Sequence, residues 1–198
     1  MKTQNIFLTL SLSLFALTSC DTTDPVDPVD PIPGAKLVVV NSNITSNTTW
    51  YSDTTYQLGA RVSVESGATL TIQPGTVIKG EAGSGANATA LVVARGAKLM
   101  ARGTASAPII FTSVADELSS EYVASGNFAS PNLEPTINGL WGGVIILGNA
   151  KISASNSAGD VAEVQIEGIP TSDPNGLYGV SDDTDNSGTL QCISIRHG

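Results

Sequence analysis

Two stretches of this chain are near copies of one another: GATLTIQPGTVIKG, residues 67–80, and GAKLMARGTASAPIIF, residues 96–111. In both, apolar residues alternate with polar ones between glycines, the two-residue period of a half-buried strand. A third, shorter echo, NAKISAS, follows Gly148, after the insertion SVADELSSEYVASGNFASPNLEPTIN at 113–138. A separation of about 30 residues between the first two echoes falls in the range of solenoid repeats, where each turn buries its inward side chains only by stacking on its neighbours. Glycines suit the corners of such turns, where positive φ or close backbone approach excludes a Cβ. An all-β solenoid is therefore expected over 36–198, with strands at 36–40, 62–64, 69–72, 76–79, 91–94, 98–101, 109–112, 144–147, 151–153, 164–166 and 190–195. No helix is expected between them. The Thr/Asn-rich NITSNTTWYSDTTY, which carries Trp50, Tyr51 and Tyr56, is expected to cap the amino-terminal end of the coil.

The composition agrees with short, turn-punctuated strands. Of 198 residues, 41% are hydrophobic, enough for a sizeable core, while aromatics at 5% and twenty glycines argue against a helical bundle. The amino terminus reads as export machinery: Lys2, then the apolar run IFLTLSLSLFAL, which is too short to span a bilayer. The next motif, LTSC, ends at Cys20 and resembles the lipobox of bacterial lipoproteins. That resemblance implies a signal peptide over 1–19 and acylation of Cys20, which would anchor the protein in a membrane. The alternative is an ordinary secretory signal cut near Ser19. DTTDPVDPVDPIPG then places proline at every third position, an extended polyproline-type tether across 20–35. With only Cys20 and Cys192 in the chain, and the first of these the lipidation candidate, no disulfide is expected to hold the fold. Eighteen acidic residues against nine basic ones give a formal net charge of −9. Such a surface repels nucleic acid, and repels anionic polysaccharides unless a divalent cation mediates.

Three strings carry a wider resemblance: GLWGGVIILGNAKI at 139–152, ALVVARGAKLMARGTASAPIIFTS at 90–113 and DDTDNSGTLQCISIRHG at 182–198. Together they resemble a family of exported Bacteroidetes proteins, and the likeness spans about 35–198. It implies the right-handed parallel β-helix of pectin-lyase-like folds, and an outer-membrane location with display at the cell surface. Cys192 stands where family members carry an aromatic before the last strand. Because the chain stops on a strand at Gly198, the resemblance also implies an amino-terminal portion of a longer coil, truncated or uncapped at that end. The fold itself hosts lyases, hydrolases, adhesins and inert scaffolds, so it assigns no activity.

Lyase chemistry needs a basic group beside a uronate carboxylate, and Arg95, Lys98 and Arg102 form the only close basic group; a solvated corner is the plain alternative. Hydrolysis needs two carboxyl groups flanking a glycosidic bond, and the only dense acidic group is Asp182, Asp183 and Asp185 in SDDTDNSG. That string reads as a polar turn, as a Ca²⁺ cradle lacking the distal Glu of an EF-hand loop, or as a catalytic pair. His197 is the sole histidine, so no histidine triad or two-histidine metal site can form within the chain; it is expected to decorate a strand end. Trp141, beside Gly142 and Gly143, is either a sugar-stacking platform or a packed corner residue. Glu117, Glu121, Tyr122, Phe128 and Glu134 in the insertion match no motif. These features predict a cell-envelope lipoprotein displaying a non-catalytic β-helix, with a glycan or surface protein as partner and no cofactor unless Ca²⁺. The alternative is a polysaccharide lyase or hydrolase of pectin-lyase-like fold, or an inactive fragment of one.

Overall fold

Alternating side chains need a partner on each side, and the chain supplies it by winding. A computed structural model describes residues 36–198. The expected signal peptide 1–19, the lipidation candidate Cys20 and the expected Asp/Pro tether 20–35 lie outside the described residues. The first coil contributes β1 (Lys36–Val40), a single bridging residue, Ile44, and β2 (Thr48–Trp50). The second contributes β3 (Thr54–Leu58), β4 (Arg61–Val64) and β5 (Thr69–Ile72). In the third come β6 (Val77–Gly80), β7 (Ala90–Val93) and β8 (Lys98–Arg102). The fourth opens with β9 (Ile109–Ser113). It then detours through the short helix α1 (Ser120–Ala124) before β10 (Val144–Ile146). A second detour holds β11 (Ala154–Asn156), β12 (Gly159–Val161), β13 (Glu163–Gln165) and β14 (Leu177–Gly179). The coil resumes at β15 (Gly188–Gln191), and β16 (Ile193–Ile195) starts a fifth turn.

Strands at equivalent positions in successive coils pair in parallel. They build a first sheet β1-β3-β6-β9-β16, a second β4-β7-β10, which Ile44 extends through its bridge to Val64, and a third β2-β5-β8-β15. Three parallel sheets wound in this order make a parallel β-helix. The two sequence echoes are neighbouring coils: Leu70 lies opposite Leu99 and Ile72 opposite Ala101, all buried, while Thr71 and Lys98 point outward and are exposed. Gly67 and Gly96 turn corresponding corners with φ of 86° and 77°, values that L side chains rarely adopt. The interior is one continuous cluster running from Trp50 and Tyr56 through Leu58, Leu70, Ile78, Leu91 and Leu99 to Phe111 and Trp141. Among the described residues no helix is long and apolar enough to cross a membrane.

Four expectations need correction. NITSNTTWYSDTTY is not a cap: it supplies Ile44, β2 and most of β3, and its aromatic pair lies in the core, with the Trp50 and Tyr56 rings stacked at 4.6 Å and 13°. Short Thr-rich rungs satisfy the strand ladder as well as apolar ones, so composition misled. NAKISAS is not the third rung, because 151–153 form no strand and β15 stacks on β8 instead. The segment 190–195 is two strands in different sheets, split at Cys192, whose φ of 43° turns the corner. And a helix exists, α1, within the first detour.

The detours cover two outer faces. Val77 and Ile110, pointing away from the core on β6 and β9, are buried under Leu118 and Val123, with Tyr122 and Phe128 at the rim. Ala90 and Val92 on β7 are buried with Leu147 and Ile169, beside Ile145, Ile166 and Tyr178. Each fully buried Val, Leu or Ile among them contributes about 1.5–3 kcal/mol by leaving water. Among the described residues the third sheet has no apolar cluster on its outer face.

Candidate functional site

Period-two alternation decides what the uncovered sheet presents. Register sets Thr49, Thr71, Met100 and Thr189 in one row across the four strands, Thr69 beside Lys98, and Arg102 beside Gln191. Thr71, Lys98, Arg102 and Gln191 are exposed. Arg102 Nη2 donates to Thr189 Oγ1 at 3.4 Å, which steadies the guanidinium over the sheet. β2, β5, β8 and β15 carry no acidic residue. Rungs about 4.8 Å apart, with outward side chains every second residue, thus form a lattice of hydroxyl, amide and cationic donors around half-buried Met100. On an acidic protein this face has two cations and no carboxylate.

The basic group expected from spacing is divided by the corner. Lys98 and Arg102 belong to this lattice. Arg95 is turned away toward the second detour, where its Nη1 donates to Glu163 Oε2 at 2.7 Å and to Gly179 O at 3.0 Å. Its work is to tie the detour to the coil.

Asp182, Asp183 and Asp185 do not converge. Asp182 Oδ1 accepts from Thr184 N and Oγ1 at 3.0 and 2.7 Å, which holds its carboxyl below the usual range. Asp183 Oδ1 accepts from Lys151 N at 3.0 Å, and Asp185 Oδ2 from Asn149 N at 2.8 Å. Each carboxylate thereby pins a separate stretch of backbone, the behaviour of a polar turn. Among the described residues no group of three or more His, Cys, Asp and Glu side chains is placed to hold a metal ion. Trp141 is only 3% exposed, belongs to the core cluster, lies against Gly80, and donates its indole N–H to Arg196 O at 2.8 Å. Neither ring face is open to a sugar.

The residues that sequence reasoning missed lie beneath the first detour. Asp116 is wholly buried, and its carboxylate accepts from Thr112 Oγ1 at 2.7 Å, Ser130 Oγ at 2.9 Å and Leu118 N at 2.9 Å. Lys79 Nζ donates to Asp116 O at 2.6 Å, and burial lowers the pKa of the Lys79 amine despite the opposing pull of Asp116 and Glu117. Arg196, its pKa also lowered by burial, feels the same carboxylate. His197, 6% exposed, is not a strand-end decoration. Its Nδ1 lies 2.6 Å from Ile137 O and so donates, while Nε2 faces Asp116 Oδ2 at 4.0 Å and makes no hydrogen bond. The chain tail is held further by Leu140 N donating to His197 O at 2.9 Å. With Thr112, Asp116 and His197 buried, this cluster fastens detour and tail to the first sheet. The one local sequence signal for it is the Asx turn in which Asp116 receives the N–H of the residue two ahead.

A family model described as a pectate-lyase like beta helix domain matches residues 42–126, from the first coil through α1. No curated protein and no solved structure matches the chain. The matched span and the three wound sheets agree on a pectate-lyase-like parallel β-helix.

Proposed function

We propose that this protein is a cell-envelope lipoprotein, anchored to the outer membrane by acylated Cys20 and displaying a non-catalytic β-helix that contacts glycan or surface protein through the outer face of the third sheet. The observation that carries the reading is selective coverage: detours bury outward side chains of β6, β9 and β7 under aliphatic clusters and leave Thr71, Lys98, Arg102 and Gln191 exposed around half-buried Met100 on the third sheet. The LTSC motif after an apolar export run supports the anchor, and the acidic balance argues against nucleic acid. The competing reading, a polysaccharide lyase, draws on the same Lys98 and Arg102 as bases.

One experiment separates them. Cells expressing the full chain are incubated with neutral and uronate polysaccharides, and bound glycan, unsaturated products and reducing ends are followed together. Retained glycan without products is expected. Lys98→Ala combined with Arg102→Ala should leave the protein anchored and weaken binding about tenfold, the effect of one or two lost charge-assisted contacts. Cys20→Ser should release the protein into the medium with its binding intact. Product formation would establish the lyase, and undiminished binding by the double variant would move the contact elsewhere.

A further inference from the structure

The first coil presents an open edge. β1 is the outermost strand of the first sheet, and among the described residues nothing pairs with its far side. In a parallel ladder, alternate residues aim N–H and C=O to opposite sides, so half of the β1 backbone groups point away from β3. Leu37, Val38 and Val39 are 58%, 44% and 48% exposed. Val38 is in register with Tyr56, Ile78 and Phe111, residues of the interior column, and is open because among the described residues no coil lies beyond it. Edge strands are ordinarily protected by charge, proline or a bulge. Here, from Leu37 to Ser52, the chain carries no charged side chain and no proline. The flanking charges, Lys36 and Asp53, neutralise each other at 2.6 Å.

We infer that this edge pairs with the β1 of a second copy, two coils meeting end to end so that their first sheets become one. Two observations favour this occupant. The chain's net charge of −9 makes most approaches between copies repulsive, and an uncharged coil end is where they can meet without that cost. An edge strand laid antiparallel to itself is self-complementary about a two-fold axis, which leaves its free donors opposite free acceptors. A two-fold axis at Val38 brings the two Val38 side chains together over both interiors.

The test uses the full chain in its host envelope. In an antiparallel pair centred on Val38 the opposed Cα atoms lie about 4.5–5.5 Å apart, inside the window for a disulfide. Mild oxidation of the Val38→Cys variant should yield about tenfold more disulfide-linked dimer than the unaltered chain, as a specific contact worth one decade of association would give. Thr71→Cys, on the exposed third sheet, should show no such excess. Adding Val39→Lys to Val38→Cys places a charge on the edge and should remove most of the dimer while leaving the melting temperature unchanged. The inference fails if Val38→Cys gives no excess dimer, if Val39→Lys leaves the dimer undiminished, or if the adduct has a mass other than twice that of the chain, which would identify a foreign partner.

Discussion

At Gly80 the argument for a single residue is steric rather than conformational. A Cβ there would stand 2.7 Å from Trp141 Cδ2 and 2.9 Å from Trp141 Cβ, closer than real Cβ contacts come. The indole cannot retreat, because its N–H is held by Arg196 O and its ring is part of the core. Gly80→Ala should therefore cost about 1–3 kcal/mol as overpacking, read as a lower urea midpoint with unchanged slope. Lys79, one position earlier on the opposite face, tests burial instead. Desolvation puts its pKa below the ordinary 10.5, so near that value the unfolded chain binds the proton more tightly than the folded one. Stability from this residue then increases as pH rises from neutrality toward 10.5. Lys79→Met should flatten the increase, and urea midpoints measured across that range for both proteins give the comparison; equal slopes would show that the amine is not desolvated in solution. Of the polar group around Lys79, only the Asx turn at Asp116 has a local sequence signature. His197 and Arg196 reach the same carboxylate from the far end of the described chain, a meeting that no short-range pattern encodes.

Among the elements, the coil strands were the most legible, since alternation of buried and exposed residues along β5 and β8 is a local property of those strands. β6, β7 and β9 are buried on both faces, and their apolar runs record the detours that cover them. The first detour is fastened near its start by Asp116 and by Leu118 and Val123 pressed on Val77 and Ile110, and near its end by Leu140 N donating to His197 O. Leu118 is wholly buried, so Leu118→Ala should lose about 2–5 kcal/mol through transfer and cavity terms combined. Because the contact lies outside the coil, amide exchange should accelerate first in 114–143, with the strands of the third sheet unaffected. Faster exchange beginning in β5 or β8 would mean that detour and coil unfold as one unit. What alternation could not reveal is where one element becomes two, as at Cys192: a residue at φ 43° between strands looks like an ordinary strand position when only the pattern is read.

For the molecule as a whole, stability accumulates coil by coil, since each rung contacts only its neighbours and the outermost rung is half solvated. This accounts for a core that is sealed beside Trp50 and Tyr56 yet open at Val38. It also leaves the surfaces unlike one another: β6, β9 and β7 are clad by detours, the outer face of the third sheet is uncovered, and the far edge of β1 is unpaired among the described residues. The sequence by itself determined that the chain winds. Glycine corners, period-two alternation and the echo of 67–80 in 96–111 are local facts that leave few other folds. The clustering of Lys98 with Arg102 was equally visible. Only the tertiary structure decided which rung stacks on which. β15 lies on β8 after a detour that β11 to β14 fill, so NAKISAS, though written like a rung, was displaced from the coil. It alone decided that Trp141 faces inward, that Asp182, Asp183 and Asp185 secure separate loops, and that the third sheet stays bare. The physical reason is range: alternation and φ are set by adjacent residues, whereas stacking register and coverage depend on how far the chain travels before it returns.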